Sequence, residues 1–133
     1  MLSLEVVAVE PQGKNLAASL KERERLWSNP PQFLDTIAEG IMTQQVGHLT
    51  FPILCDLVDE VITVTDQEMA ESCRLAAERM KLMVEAASGA AIAAALSERV
   101  KAMEGEKVGV ILCGGNVDTE RLPWTDNRIK KQA

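Results

Sequence analysis

Apolar positions along this chain change their spacing from one stretch to the next, and the changes mark out its elements. Residues 2–10, LSLEVVAVE, carry only two charges, Glu5 and Glu10, and stop at Pro11. A short apolar run without a helical period predicts a buried strand beginning almost at the first residue. A core strand with nothing before it is unusual in a native domain, which raises the expectation of further chain upstream. From Gln12 to Trp27, Leu16, Leu20 and Leu26 recur among Lys, Arg and Glu and predict an exposed amphipathic helix. SNPPQ at 28–32 ends it, because consecutive prolines cannot continue a helix.

Short helical stretches around Thr36–Ile41 and a turn at Gly47 follow. TFPILCDLVDE at 50–60 predicts a short helix with Pro52 in its first turn. VITVT at 61–65 is a β-branched run and predicts a buried strand. Over 65–85, Met69, Cys73, Ala76, Ala77, Met80 and Val84 are three and four apart, a helical stripe, and Thr65 with Glu68 fits a capping box. A second helix is expected over 88–104, capped by Ser88, nearly all apolar to Leu96 and ended by Gly105. A last strand is expected over 107–112. Strands alternating with helices predict an α/β fold, a parallel sheet with flanking helices. The 133 residues suit a single unit, with no internal repeat and no linker.

Composition narrows the function classes. Aromatics are 3% of the chain, so Ala, Leu, Val, Ile and Met must fill the core. The formal net charge of −6 gives no grip on phosphate backbones or anionic lipid, which argues against nucleic acid and membrane partners. Arg128, Lys130 and Lys131 form a basic cluster in a short polar tail that reads as solvated. Cys55, Cys73 and Cys113 lack the spacing of a metal site or a disulfide framework, as expected of free thiols in a reducing, cytoplasmic compartment. The first residues lack a basic region, and their apolar run is too short for a signal peptide or a membrane span.

One stretch carries candidate chemistry. In GVILCGGNVD at 109–118, an apolar run stops at Cys113, Gly114, Gly115 and Asn116. Paired glycines at a strand end mark backbone that approaches something closely or takes φ values closed to other residues. Open α/β sheets bind ligands at that carboxyl edge. His48, the single histidine, has no nucleophile or carboxylate pattern around it and reads as structural or surface. Asp56, Asp59 and Glu60 read as a solvated face or a cap, and Met69, Met80, Met83 and Met103 as core filling.

Five segments extend the argument: AVEP (8–11), DTIAEG (35–40), VGHLTFPILCDLVDEVITVTDQEM (46–69), AERMKLMVEAASGAAIAAAL (77–96) and VILCGGNVD (110–118). In that order they resemble the C-terminal part of the fold-type II pyridoxal-phosphate enzymes, nearest the serine racemases and serine/threonine dehydratases. The resemblance implies that residues 1–133 form part of the large domain of the tryptophan-synthase-β-like fold. It implies that Cys113 contacts the pyridine nitrogen of pyridoxal phosphate, where serine is usual, with Gly114 and Gly115 beside it. A neutral thiol there would leave the ring nitrogen less protonated than a carboxylate would. Glu85 matches a glutamate at a helix entry that organises the cofactor site. The Pro-Ser/Thr that follows in the family is Ala86-Ala87 here, with Ser88 a partial replacement. Lys81 and Asn116 match positions that contact an activating ATP in serine racemase. Glu10 matches an acidic ligand of a Mg²⁺ site that also uses a carbonyl, here Lys14, and an aspartate, here Leu16; a lost oxygen ligand should weaken the ion.

The chemistry of that family needs a lysine that joins covalently to the cofactor. None of Lys14, Lys21, Lys81, Lys101, Lys107, Lys130 and Lys131 lies in such a context, and no glycine-rich phosphate cradle is present. The expectation is therefore one wall of an active site for serine or threonine, inactive as this isolated chain. The alternative is a non-catalytic homologue that pairs with a full-length relative, or a homo-oligomer, to cover apolar surface.

Overall fold

The three-dimensional structure is a computed structural model, and it describes residues 4–103 and 107–130. Strand β1 (Val7–Pro11) pairs in parallel with β2 (Glu60–Val64), Val7 opposite Glu60 and Pro11 opposite Val64. Parallel neighbours require a crossover, and residues 12–59 provide it with helices α1 (Leu16–Glu22) and α2 (Thr50–Leu57). Beyond β2 come α3 (Asp66–Leu75), a π-helical turn at Ala76–Met80, α4 (Ala86–Leu96) and α5 (Glu98–Lys101). A short turn at Pro123–Thr125 precedes α6 (Asn127–Lys130). The expected α/β class, a parallel sheet with flanking helices, is what the chain adopts. No described helix is long and apolar enough to cross a membrane.

The core lies where α3 and α4 cross behind the sheet. Met69, Ala70, Ala90 and Ala94 are buried there with Ile37, Ala38, Val64, Ala86 and Ile129. Small side chains let the two helices approach closely. At Gly89 a Cβ would stand 2.5 Å from the Met69 carbonyl oxygen and 2.6 Å from Cys73 Sγ, so glycine is the residue this crossing admits. The capping box at the start of α3 forms as the sequence suggests: the Thr65 hydroxyl accepts from Glu68 N at 3.2 Å, and Thr65 N donates back to Glu68 Oε2 at 2.7 Å.

Several expectations are corrected. Residues 107–112 form no strand: among the described residues their backbone joins no ladder, and Val108 and Ile111 are 60% and 77% exposed. Only Leu112 turns inward, against Val84 and Ile92. A strand needs a neighbour for its N–H and C=O groups, and none lies alongside. The helix expected over 12–27 is shortened to α1 by left-handed residues at both ends, Asn15 (φ 59°) and Arg23 (φ 53°). The strand expected over 2–10 begins at Val7, and residues 1–3 lie outside the described ones. β2 is mostly half-buried rather than fully buried.

The helix over 65–85 ends early, since the π turn hands over to Lys81 at φ 59°. Met80 and Met83 therefore leave the apolar stripe and stand exposed, whereas Met69 is fully buried. The next helix starts two residues before Ser88 and breaks at Ser97, which is extended (φ −68°, ψ 152°) and caps α5 by accepting from Val100 N at 3.3 Å. Its expected end at Gly105 falls outside the described residues. The C-terminal tail is not solvated throughout. Ile129 is buried in the core, and Arg128 donates to Thr36 O at 2.8 Å while pairing with Asp126 at 2.9 Å.

Candidate functional site

Glu85 is the hinge of the candidate site. Beyond the left-handed Lys81 the chain runs extended to Glu85, which stands at the N-cap position of α4 with φ −68° and ψ 158°. Its carbonyl accepts from Ser88 N at 2.9 Å and Gly89 N at 3.1 Å, so the helix begins here. Cys73 Sγ also lies 3.5 Å from this oxygen and donates to it. Burial pushes the Cys73 thiol up to about 11, opposed in part by a hydrogen bond from Gly89 N. Cys73 is thus a protonated donor at neutral pH, one that fastens the start of α4 to α3.

The loop at 113–116 lies directly on this helix start. The Ser88 hydroxyl donates to the carbonyl of Cys113. Glu85 N donates to Gly114 O at 3.4 Å, and Asn116 N donates to Glu85 Oε1 at 3.2 Å. Gly114 has φ 77°, and a Cβ on it would come 2.5 Å from Glu85 Oε1. Here the glycine is required twice, by the left-handed backbone and by the carboxylate packed against it. A Cβ on Gly115 would meet Met83 O at 3.0 Å. The Cys113 thiol itself is exposed, on a backbone held from both sides. Ser88 is therefore committed to the cysteine loop, which corrects the reading of it as a helix cap or a ligand hydroxyl.

A second loop closes the other flank. In DTIAEG, a Cβ on Gly40 would stand 3.4 Å from Ala87 Cβ and 3.9 Å from Glu85 Oε2. Asp66 holds this loop by accepting from the Thr36 hydroxyl and from Ile37 N at 3.1 Å. Arg128 reaches it from the far end of the chain through Thr36 O. Three segments distant in sequence thus meet around the Glu85 carboxylate. Asp66, Arg128 and Cys73 were not among the site residues read from sequence. No local sequence signal marks any of the three for that role.

The remaining candidates separate. Lys81 is exposed and donates to Glu78 O at 2.7 Å, while Asn116 is engaged through its backbone, and no described contact joins the two. His48 is exposed, with Arg25 Nη1 2.9 and 2.8 Å from its two ring nitrogens, as suits a surface residue. Asp56 pairs with Arg23 and Glu60 with Arg99, each at 2.5 Å, and Asp59 accepts from Val6 N. These carboxylates are structural.

Glu10, the metal ligand implied by the resemblance, lies among hydrogen-bond donors. It is 2% exposed, and its carboxylate accepts from Leu16 N at 2.7 Å, Ala17 N at 3.3 Å and the Thr63 hydroxyl at 3.2 Å. The carbonyl of Lys14 accepts from Trp27 Nε1 at 2.5 Å. Both oxygens already face donors, and Leu16 offers none. Among the described residues no group of three or more His, Cys, Asp or Glu could hold a metal ion.

Known proteins resemble this chain over most of its length. The chain is 37% identical over 134 residues to serine racemase from Bos taurus, covering 98% of itself and 39% of that protein. It is 39% identical over 117 residues to L-threo-3-hydroxyaspartate ammonia-lyase from Saccharomyces cerevisiae, covering 87% of itself and 35% of that enzyme. The crystal structure of a pyridoxal 5'-phosphate-dependent aspartate racemase superimposes with a TM-score of 0.88 at 56% identity, over 92% of this chain and 38% of that one. The chain thus spans somewhat over a third of the length of the relatives it matches. The family model "Pyridoxal-phosphate dependent enzyme" covers residues 2–114, most of the sequence, and this chain belongs to that family.

Proposed function

We propose that residues 1–133 are the C-terminal part of the large domain of a pyridoxal-phosphate-dependent racemase or ammonia-lyase that acts at the α-carbon of an amino acid. The observation that carries this reading is the Cys113–Asn116 loop, locked onto Glu85 and Ser88 with its thiol left exposed. Cys113, Gly114, Gly115 and Glu85 fit the cofactor's ring edge. A thiol is a weak donor and acceptor suited to a pyridine nitrogen, and the glycines beside it let the loop pack against Glu85 and Met83 with the cysteine left exposed. When bound, the cofactor supplies an electron sink that makes the α-proton of an attached amino acid acidic. With the cofactor bound, Cys113 would contact the ring nitrogen through its thiol. Glu85 is engaged with Asn116 N and shapes the loop; it is not placed to move a proton.

The substrate class follows from the relatives. Serine racemase, hydroxyaspartate ammonia-lyase and aspartate racemase act on small amino acids that carry a β-hydroxyl, a β-carboxylate or both. Returning the α-proton to the opposite face racemises. Losing the β-hydroxyl converts serine to pyruvate and ammonia, and threonine to 2-oxobutanoate and ammonia. Serine and threonine are the substrates favoured by the sequence motifs, with aspartate and 3-hydroxyaspartate added by these relatives. A nucleotide at Lys81 and Asn116 rests on the family resemblance alone.

The test is deuterium incorporation at Cα in D₂O and ammonia release with these four amino acids. It uses two preparations, the pure 133-residue chain and the protein as its own cells make it, with the intact mass of the latter. The isolated chain is expected to be silent, since its lysines lack the required context, and a heavier native species to exchange the α-proton. Ammonia release by the pure chain overturns the inactivity; a heavier native species without α-proton exchange overturns the enzymatic reading.

A second reading has its own observation. Val108, Val110 and Ile111 are exposed on a backbone that joins no ladder, an open edge that another chain can pair with. A full-length relative, co-purified with the chain, would support this association.

A further inference from the structure

We infer that Lys14 supplies a structural cation that ties the turn after β1 to the loop at residues 41–43, and that the Glu10 turn, where the family resemblance implies a divalent metal, does not hold one. Mg²⁺ or Ca²⁺ requires about six oxygen ligands, several of them carboxylates or free carbonyls. Here Glu10 faces three donors, the Lys14 carbonyl faces an indole N–H, and position 16 is an aliphatic leucine that is itself buried. These residues do not fit a metal.

They do fit an ammonium. The Lys14 side chain is buried and its Nζ donates to two main-chain carbonyls, Thr43 O at 2.5 Å and Ile41 O at 3.3 Å. Three donors on a compact charge suit such a cluster of carbonyls. Burial pulls the Lys14 pKa below its ordinary value, and the nearby Glu10 carboxylate opposes that shift; Glu10 is itself held by the first amides of α1 and by Thr63. A divalent ion added beside it would meet a positive neighbour and an absent ligand. Trp27, on Lys14's carbonyl, closes the turn from the other side.

The inference concerns folding and does not rest on the proposed activity, so its test reads stability and ion binding in the full chain. Thermal unfolding of the unmodified protein is expected to be the same in EDTA, in millimolar Mg²⁺ and in millimolar Ca²⁺. An electron paramagnetic resonance titration with Mn²⁺ should find no tight site. Lys14→Met should lower the midpoint by several degrees and leave it unresponsive to Mg²⁺. The double variant Lys14→Ala/Leu16→Asp, which removes the ammonium and restores an oxygen ligand, should regain stability when Mg²⁺ is added. A midpoint that rises with Mg²⁺ in the unmodified chain, or a tight Mn²⁺ site there, overturns the inference. So does a Lys14→Met variant as stable as the parent. Should Lys14→Met not fold, the Mn²⁺ titration of the unmodified protein decides alone.

Discussion

The hydroxyl of Ser88, in the first turn of α4, donates to the main-chain carbonyl of Cys113, 25 residues further along the chain. Together with the bond from Glu85 N to Gly114 O, this pins the cysteine loop to a helix start. Ser88→Ala should cost about 1 kcal/mol, the usual net worth of such a bond. Urea denaturation measures the cost. Alkylation of Cys113 should change rate in the same variant, because the peptide that aims the thiol is released.

Gly114 and Gly109 form a matched pair. Alanine at Gly114 faces both a left-handed φ and a Cβ 2.5 Å from the Glu85 carboxylate, whereas a Cβ on Gly109 meets nothing within 4 Å. Gly114→Ala should therefore destabilise by at least about 1–2 kcal/mol from the backbone alone. Gly109→Ala should be near neutral. Equal effects in chemical denaturation would show that the Glu85 contact carries no strain.

The thiols should separate by reactivity and by pH. Cys113 is exposed and should take iodoacetamide in the folded protein, read by mass spectrometry, while Cys73 stays unmodified until unfolding. Cys73 has its pKa raised by burial from 9.0 to about 11. The folded state then holds a proton that the unfolded state releases. Its contribution to stability is complete below pH 9 and is lost as pH rises from 9 to about 11. Cys73→Ala should flatten that part of the stability profile; an unchanged slope would place the titration elsewhere.

Val108 and Ile111 are exposed on the open edge, so replacing either with lysine removes apolar surface without emptying a core position. Light scattering after size exclusion should find less self-association in Val108→Lys and Ile111→Lys. Their unfolding midpoints should match the parent within experimental scatter. A parent that is already monodisperse would remove the case for this edge as a partner surface.

Much of the fold was legible because it depends on short-range pattern. The Thr65–Glu68 box forms as expected, the β-branched run at 61–65 gives β2 at 60–64, and the stripe expected over 65–85 gives a helix that stops short of its end, since each signal acts within a few residues. The family was also legible, since ordered motifs are a property of the string, and Cys113, Gly114 and Gly115 lie beside Glu85 in the fold. Three things were not. The run at 107–112 has strand composition, yet a strand exists only when a neighbouring backbone completes its hydrogen bonds. Arg128 looked like a solvated charge until Thr36 and Asp126 gathered around it. Lys14 looked like part of a metal turn, and only the folded chain shows its ammonium among carbonyls of residues 41 and 43. Periodicity and caps are local, so the sequence by itself determined β2, the start of α3 and the family. Partner choice for a strand edge, a charge or a hydroxyl depends on which distant segments pack together, and that only the tertiary structure decided.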